Sequence, residues 1–163
     1  MPRSLVGGIA SWHVSGGGYC PNSAHPWALS TFHTRDLRTG KPASLRDIFT
    51  EEQLLEAFRG EGVVRSLLES PLYHLSQIED LQDTNCVMNF SPEMWTTFAF
   101  HHLKGDSVAV RIGLSHGCEV ARGSFTQLGI MLPVPQAWKD AFRKADTEGQ
   151  LMKQLEKSDR KDP

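Results

Sequence analysis

The chain has 163 residues, of which 39% are hydrophobic and 22% charged, with a formal net charge of -2. A chain of that length and mix can bury about two-thirds of its unfolded surface and fold as one domain without staples, which excludes disorder of the whole chain. The near-neutral balance supplies no field for gathering nucleic acid, and no run approaches the roughly 18 to 20 apolar residues that a membrane-spanning helix needs, so neither a nucleic-acid partner nor a transmembrane segment is expected.

Ser4 to Val14 has strand character, with Trp12 and Val14 on one face of a period-two pattern and His13 on the other. Gly16, Gly17 and Gly18 are expected to end it, and a bend follows over Tyr19 to Pro26. Trp27, Leu29 and Thr31 then alternate with Ala28, Ser30 and Phe32, a second strand expected to run antiparallel to the first. Arg38-Thr39-Gly40-Lys41 is a turn, because Gly40 takes a positive backbone dihedral at no steric cost. Thr50 followed by Gln53 fits a capping box, and Leu54, Leu55 and Phe58 supply a buried stripe, so a helix is expected from about Glu51 to Arg59. Val63, Val64, Leu67 and Leu68 repeat the helical spacing, and Ser70-Pro71 can start a further helix carrying Leu75, Ile78 and Leu81.

The second half reads as a meander of strands over Cys86 to Phe90, Trp95 to Leu103, Ser107 to Leu114 and Leu128 to Val134. Lys104-Gly105-Asp106 is the compact turn of its clearest hairpin, in which Val108, Val110 and Ile112 share one face. From Gln136 to Ala145, the residues Trp138, Ala141, Phe142 and Ala145 form a docking stripe introduced by Pro135. Beyond it, Asp146 to Pro163 mixes charges with few large apolar residues and is expected to be a flexible tail, leaving residues 1–145 as a single domain.

No catalytic motif in the chain is specific. The seven histidines are densest at His101, His102 and His116, near Cys118, but no CxxC pair or HExxH helix accompanies them. On a regular strand His101 and His102 point to opposite faces and cannot readily ligate one ion, so neither a metal nor a cofactor is expected. Cys20 with His25 could be a nucleophile and its base, yet Pro21 and Pro26 make that segment a rigid bend with no third orienting residue. Asp36 and Asp47 could pair for glycoside hydrolysis, but each has a stronger claim as a structural carboxylate: Asp36 in the turn, Asp47 just before the helix. The glycines at 16 to 18 precede Tyr-Cys-Pro rather than a helix, so they do not cradle phosphate. Trp12, Tyr19, Trp27 and Phe32 flank the bend and suit either a core or a platform for a partner. The three cysteines, Cys20, Cys86 and Cys118, permit one internal disulfide in any of three pairings.

The runs YCPNSAHP, DLRTGK and LRDIF carry a resemblance. Together they resemble the envelope domain found at the C-terminal end of lysozyme-sensing anti-sigma factors of the RsiV type and beside the catalytic domain of PdaC-type peptidoglycan deacetylases. Tyr19, Ala24, His25, Asp36, Leu37, Thr39, Gly40, Lys41, Leu45, Asp47 and Phe49 fit its pattern, while Cys20 to Ser23 stand where the family has glycines. Trp95 to Leu114, His116 to Cys118 and Leu128 to Phe142 are similar to its downstream half, less specifically. The resemblance implies an α+β fold, mainly an antiparallel sheet packed by two or more helices, in an extracytoplasmic setting. That setting favours a disulfide, with Cys86 and Cys118 as the pair because both flank the expected hairpin.

By that resemblance the chain is expected to be a non-catalytic periplasmic or cell-envelope domain that binds a protein, such as lysozyme or another wall-cleaving enzyme, or a cell-wall ligand. The expected ligand-binding residues are Tyr19, His25, Trp27 and His116, with Asp36, Gly40 and Asp47 as structural turn residues. An envelope location requires a signal or anchor that precedes Met1; otherwise the chain is cytoplasmic. The rival readings are a small cell-wall hydrolase using His25 with Asp36 or Cys20, and a cytoplasmic protein-interaction module.

Overall fold

The computed structural model describes residues 1–19, 27–69, 92–115 and 125–159. Its architecture is α+β: two three-stranded antiparallel sheets with helices packed against them. In the first sheet, β1 (Pro2–Val6), β2 (Ile9–Gly18) and β3 (Trp27–Asp36) lie in that order. The continuous strand expected over Ser4 to Val14 is instead a hairpin. Gly7 and Gly8 form its two-residue turn at φ 54° and 87°, the paired positive dihedrals that suit the twist of a tight hairpin. A side chain at Gly7 would also meet the Trp138 ring, 2.8 Å from the position of a Cβ. Gly16, Gly17 and Gly18 do not end the strand either, since they pair with Leu29, Ala28 and Trp27 of β3.

The turn after β3 is built on Asp36. Its carboxylate accepts the Arg38 backbone N–H at 2.9 Å and both the Nε and Nη2 of the same arginine at 2.9 Å, while Gly40 sits at φ 69°. A turn of 3-10 helix over Leu45–Asp47 follows, closed by a reciprocal cap: Asp47 accepts the Ser44 N–H at 2.9 Å and the Ser44 hydroxyl accepts from Arg46. Thr50 and Gln53 cap α1 (Glu51–Arg59) in the same reciprocal way, each satisfying a backbone N–H that the first helical turn leaves unpaired. α1 buries Leu54 and Phe58, and α2 (Gly62–Leu68) follows it. The helix expected after Ser70 and the strand expected at Cys86 lie outside the described residues.

The second sheet has the order β4 (Phe98–Lys104), β5 (Ser107–Ser115), β6 (Phe125–Pro133). The strand expected to open at Trp95 begins only at Phe98, because Pro92–Thr96 form a 3-10 turn that tucks Trp95 edge-on against Phe58 at 5.5 Å. Val108, Val110 and Ile112 are fully buried and face Leu132, Ile130 and Leu128 across the ladder, so one side of this sheet is core. The docking stripe forms as expected: a short 3-10 turn over Gln136–Trp138 leads into α3 (Lys139–Thr147), where Phe142 meets Phe100 edge-on at 4.9 Å.

Of the segment from Asp146 to Pro163, whose composition suggests a flexible tail, residues 146–159 are described, and they are folded. α4 (Met152–Asp159) folds back on β1 and β4, with Leu151 fully buried and Met152 packed against Phe32 and Ala99. Gly149 at φ 70° turns the chain between α3 and α4, the Gln154 side chain caps the Leu151 N–H at 3.1 Å, and the Leu5 N–H donates to the Gln150 carbonyl at 2.9 Å. Two well-placed apolar side chains and these anchors outweigh the polar composition.

The two sheets meet at a polar seam. β4 is an edge strand, and on the side away from β5 its Phe98 C=O and the Phe98 and Phe100 N–H groups need partners that water cannot supply. Thr34 supplies them at Phe98, donating to the carbonyl at 2.6 Å and accepting from the N–H at 3.4 Å. Ser4 accepts the Phe100 N–H at 3.1 Å and donates to Ser11 at 3.1 Å. These three hydroxyl residues are the buried polar side chains of the described structure, and each is engaged.

Candidate functional site

Strand alternation gives the first sheet two unlike faces. Ser4, Val6, Ile9, Ser11 and Thr34 point inward to the seam and core, while Leu5, Ala10 and Trp12 point outward. Met1 and Leu37 at the chain start and the turn, and Leu155 of α4, complete an open apolar groove of about 460 Å³ over that outer face. Met1 and Leu37 are about 60% exposed and adjoin one apolar surface rather than standing singly, and it is such a contiguous patch that marks an interaction site. Trp12 is held flat by His33, its cross-strand partner, with ring centroids 6.0 Å apart and planes 14° apart. Among the described residues the lining is chiefly apolar, with Ser4, Ser11 and Gln150 as its polar members, so the groove is suited to seat an apolar group.

The residues singled out from sequence fall in different places. Tyr19 stands at the end of β2 with 65% of its surface exposed. Trp27 opens β3 opposite Gly18. His25, His116, Cys20, Cys86 and Cys118 lie outside the described residues. Asp36 is committed to Arg38, whose hydrogen bonds hold the carboxyl below the usual carboxylate range. A carboxylate engaged in this way is poorly suited to act as a general base. Asp47 is spent on the Ser44 cap. Gly40 has open space around its α-carbon and serves the turn by its dihedral alone.

The histidine pair departs from the expectation of opposite faces. A bulge in β4 shifts the register between Phe100 and His102, so that His102 pairs with Ala109 and the two rings come to the same side. His101 Nδ1 and His102 Nδ1 are 2.6 Å apart, with the rings nearly perpendicular. Contact at that distance requires one Nδ1 to carry the proton and the other to accept it. Both imidazoles are held below the ordinary histidine range. Burial is the main cause for each, with Arg111 the next for His101 and Lys153 the next for His102; the nearby Glu156 and Asp146 oppose the shift only in part. Among the described residues, no group of three or more His, Cys, Asp or Glu side chains converges as a metal would need, and no helix is long and apolar enough to cross a membrane.

The groove escaped the sequence reading because its walls come from both ends of the chain. The available signal was Gly7-Gly8, which as a hairpin turn would have put Leu5, Ala10 and Trp12 on one face. In comparisons with known proteins, no family model, curated protein or solved structure matches the chain.

Proposed function

We propose that this chain is a non-catalytic binding domain for a protein ligand, of the extracytoplasmic kind to which its motifs bear a resemblance, with lysozyme or another wall-cleaving enzyme as the partner class. The observation that carries this reading is the apolar groove over Leu5, Ala10 and Trp12, rimmed by exposed Met1 and Leu37. Protein interfaces are anchored by a few buried aromatic or aliphatic side chains in such pockets. A glycan site would need several hydrogen-bonding groups converging beside the aromatic face; of the polar side chains among the described lining residues, Ser4 and Ser11 are engaged in the seam and Gln150 remains, which favours a protein ligand. A net charge of -2 also leaves a basic partner unrepelled.

The hydrolase alternative is weakened by the occupation of Asp36 by Arg38. The deciding experiment combines calorimetric titration of lysozyme with an assay of muropeptide release. Binding to the wild-type chain, weakened about tenfold or more by Leu37→Asp with the circular dichroism unchanged, is the expected result. Turnover of peptidoglycan that disappears in His25→Ala would overturn the binding reading.

A further inference from the structure

β6 is the outer strand of the second sheet, and among the described residues no segment hydrogen-bonds to its far side. The ladder with β5 fixes which backbone groups that side presents. The Val134 N–H donates to the Asp106 carbonyl at 2.8 Å, which makes Asp106 and Val134 a hydrogen-bonded pair. Antiparallel pairs alternate, so Leu132, Ile130 and Leu128 bond to β5, while the N–H and C=O groups of Met131, Gly129 and Gln127 point away from it. Edge strands are ordinarily protected by their own charges, by a bulge or by a proline. Phe125–Pro133 has no charged side chain, pairs with β5 without a bulge, and carries its proline only at the end.

The charge at this edge is lent by the neighbouring strand. Arg111 of β5 lies opposite Gly129, and its guanidinium lies over that glycine, where a Cβ would stand 2.6 Å from Nη1. Arg111 is half-buried, and among the described residues no carboxylate pairs with it. A residue added directly opposite Gly129 on a further strand would carry its side chain on this same face, about 5 Å away and beside the guanidinium fork. An acidic side chain there completes the pair, and Met131, 43% exposed, offers an apolar neighbour two residues along. A second copy of the chain is a poor occupant. Its β6 has no acid to offer, and antiparallel pairing about Gly129 would bring two Arg111 side chains together.

We propose that the free edge of β6 is a docking site for an extended peptide segment of a partner protein, which adds as a fourth strand and places an Asp or Glu opposite Gly129, where Arg111 holds it. Main-chain hydrogen bonds from Gln127, Gly129 and Met131 supply the affinity, and the carboxylate supplies the selectivity. The apolar groove lies on the first sheet, so this site does not depend on it.

The test titrates into the labelled full chain a short blocked peptide of alternating Val and Thr in which one central Thr is replaced by Glu. Three controls carry Gln or Lys in place of that Glu, or the Glu with alternate backbone amides N-methylated. Saturable binding with NMR shifts concentrated at the Gln127, Gly129 and Met131 amides is the expected result, weakened about three- to fivefold in the Gln peptide and lost on N-methylation. Arg111→Glu, with the circular dichroism unchanged, should reverse the preference and bind the Lys peptide more tightly than the Glu peptide. Shifts absent from these amides, equal binding of the Glu and Gln peptides, undiminished binding after N-methylation, or an unreversed preference in Arg111→Glu would each overturn the proposal. So would concentration-dependent self-association of the free chain through the same amides, which would make this edge an interface between copies.

Discussion

Replacing Thr34 by Val removes one hydroxyl from the seam between the sheets and keeps nearly the same shape. The Thr34 proton has one short acceptor, the Phe98 carbonyl at 2.6 Å, since the Ser11 oxygen lies at 3.5 Å; the same hydroxyl accepts from the Phe98 N–H at 3.4 Å. Thr34 is 3% exposed and Phe98 fully buried, so water cannot take over either role. An orphaned buried carbonyl costs about 1–3 kcal/mol, and the longer N–H contact adds to that, so a loss of about 2–3 kcal/mol is expected. For a chain of this size that lowers the melting temperature by about 4–12 °C. Urea denaturation followed by circular dichroism measures it: the midpoint should fall with an unchanged slope, because the surface exposed on unfolding stays the same. A loss below about 0.5 kcal/mol, the level of an ordinary surface substitution, would refute the claim that side-chain hydroxyls close the edge of β4.

Gly40→Ala meets no steric obstacle, so its cost is that of the left-handed backbone alone, about 1–2 kcal/mol by chemical denaturation. Leu151→Ala should cost about 2–5 kcal/mol, the range for a fully buried leucine, whereas a flexible tail would register no change. His101 and His102 are held below their unfolded value near 6.5, chiefly by burial. The unfolded chain therefore takes up protons first, and stability falls with pH from about 6.5 down to the folded-state values, while it is level above that window. His13 is lowered too and adds to the slope, so His101→Gln with His102→Gln should flatten the profile only in part. A wild-type melting temperature constant between pH 7.5 and 5 would contradict this.

Elements whose causes are local were legible from the sequence. Thr50 and Gln53 announce α1, Gly40 announces its turn, and the alternation of Val108, Val110 and Ile112 assigns one face of β5 to the core. What was not legible depends on distant partners. The strand character of Ser4 to Val14 spans Gly7-Gly8, so one strand and a hairpin look alike until Trp138 is seen to need the gap at Gly7. The bulge that brings His101 and His102 together arises from how β4 meets β5, and residue spacing alone gives the opposite orientation. α4 has a weak apolar face, and only the presence of Phe32 and Ala99 opposite Met152 explains its docking. The groove combines the first residue of the chain with Leu155.

The binding account is tested most directly by mapping backbone amide and Trp12 indole shifts as lysozyme is titrated into the labelled chain. The account predicts saturable shifts concentrated at Leu5, Ala10, Trp12, Leu37 and Leu155, lost in Leu37→Asp. Shifts absent at these positions, or confined to the outer face of β5 and β6, would contradict it.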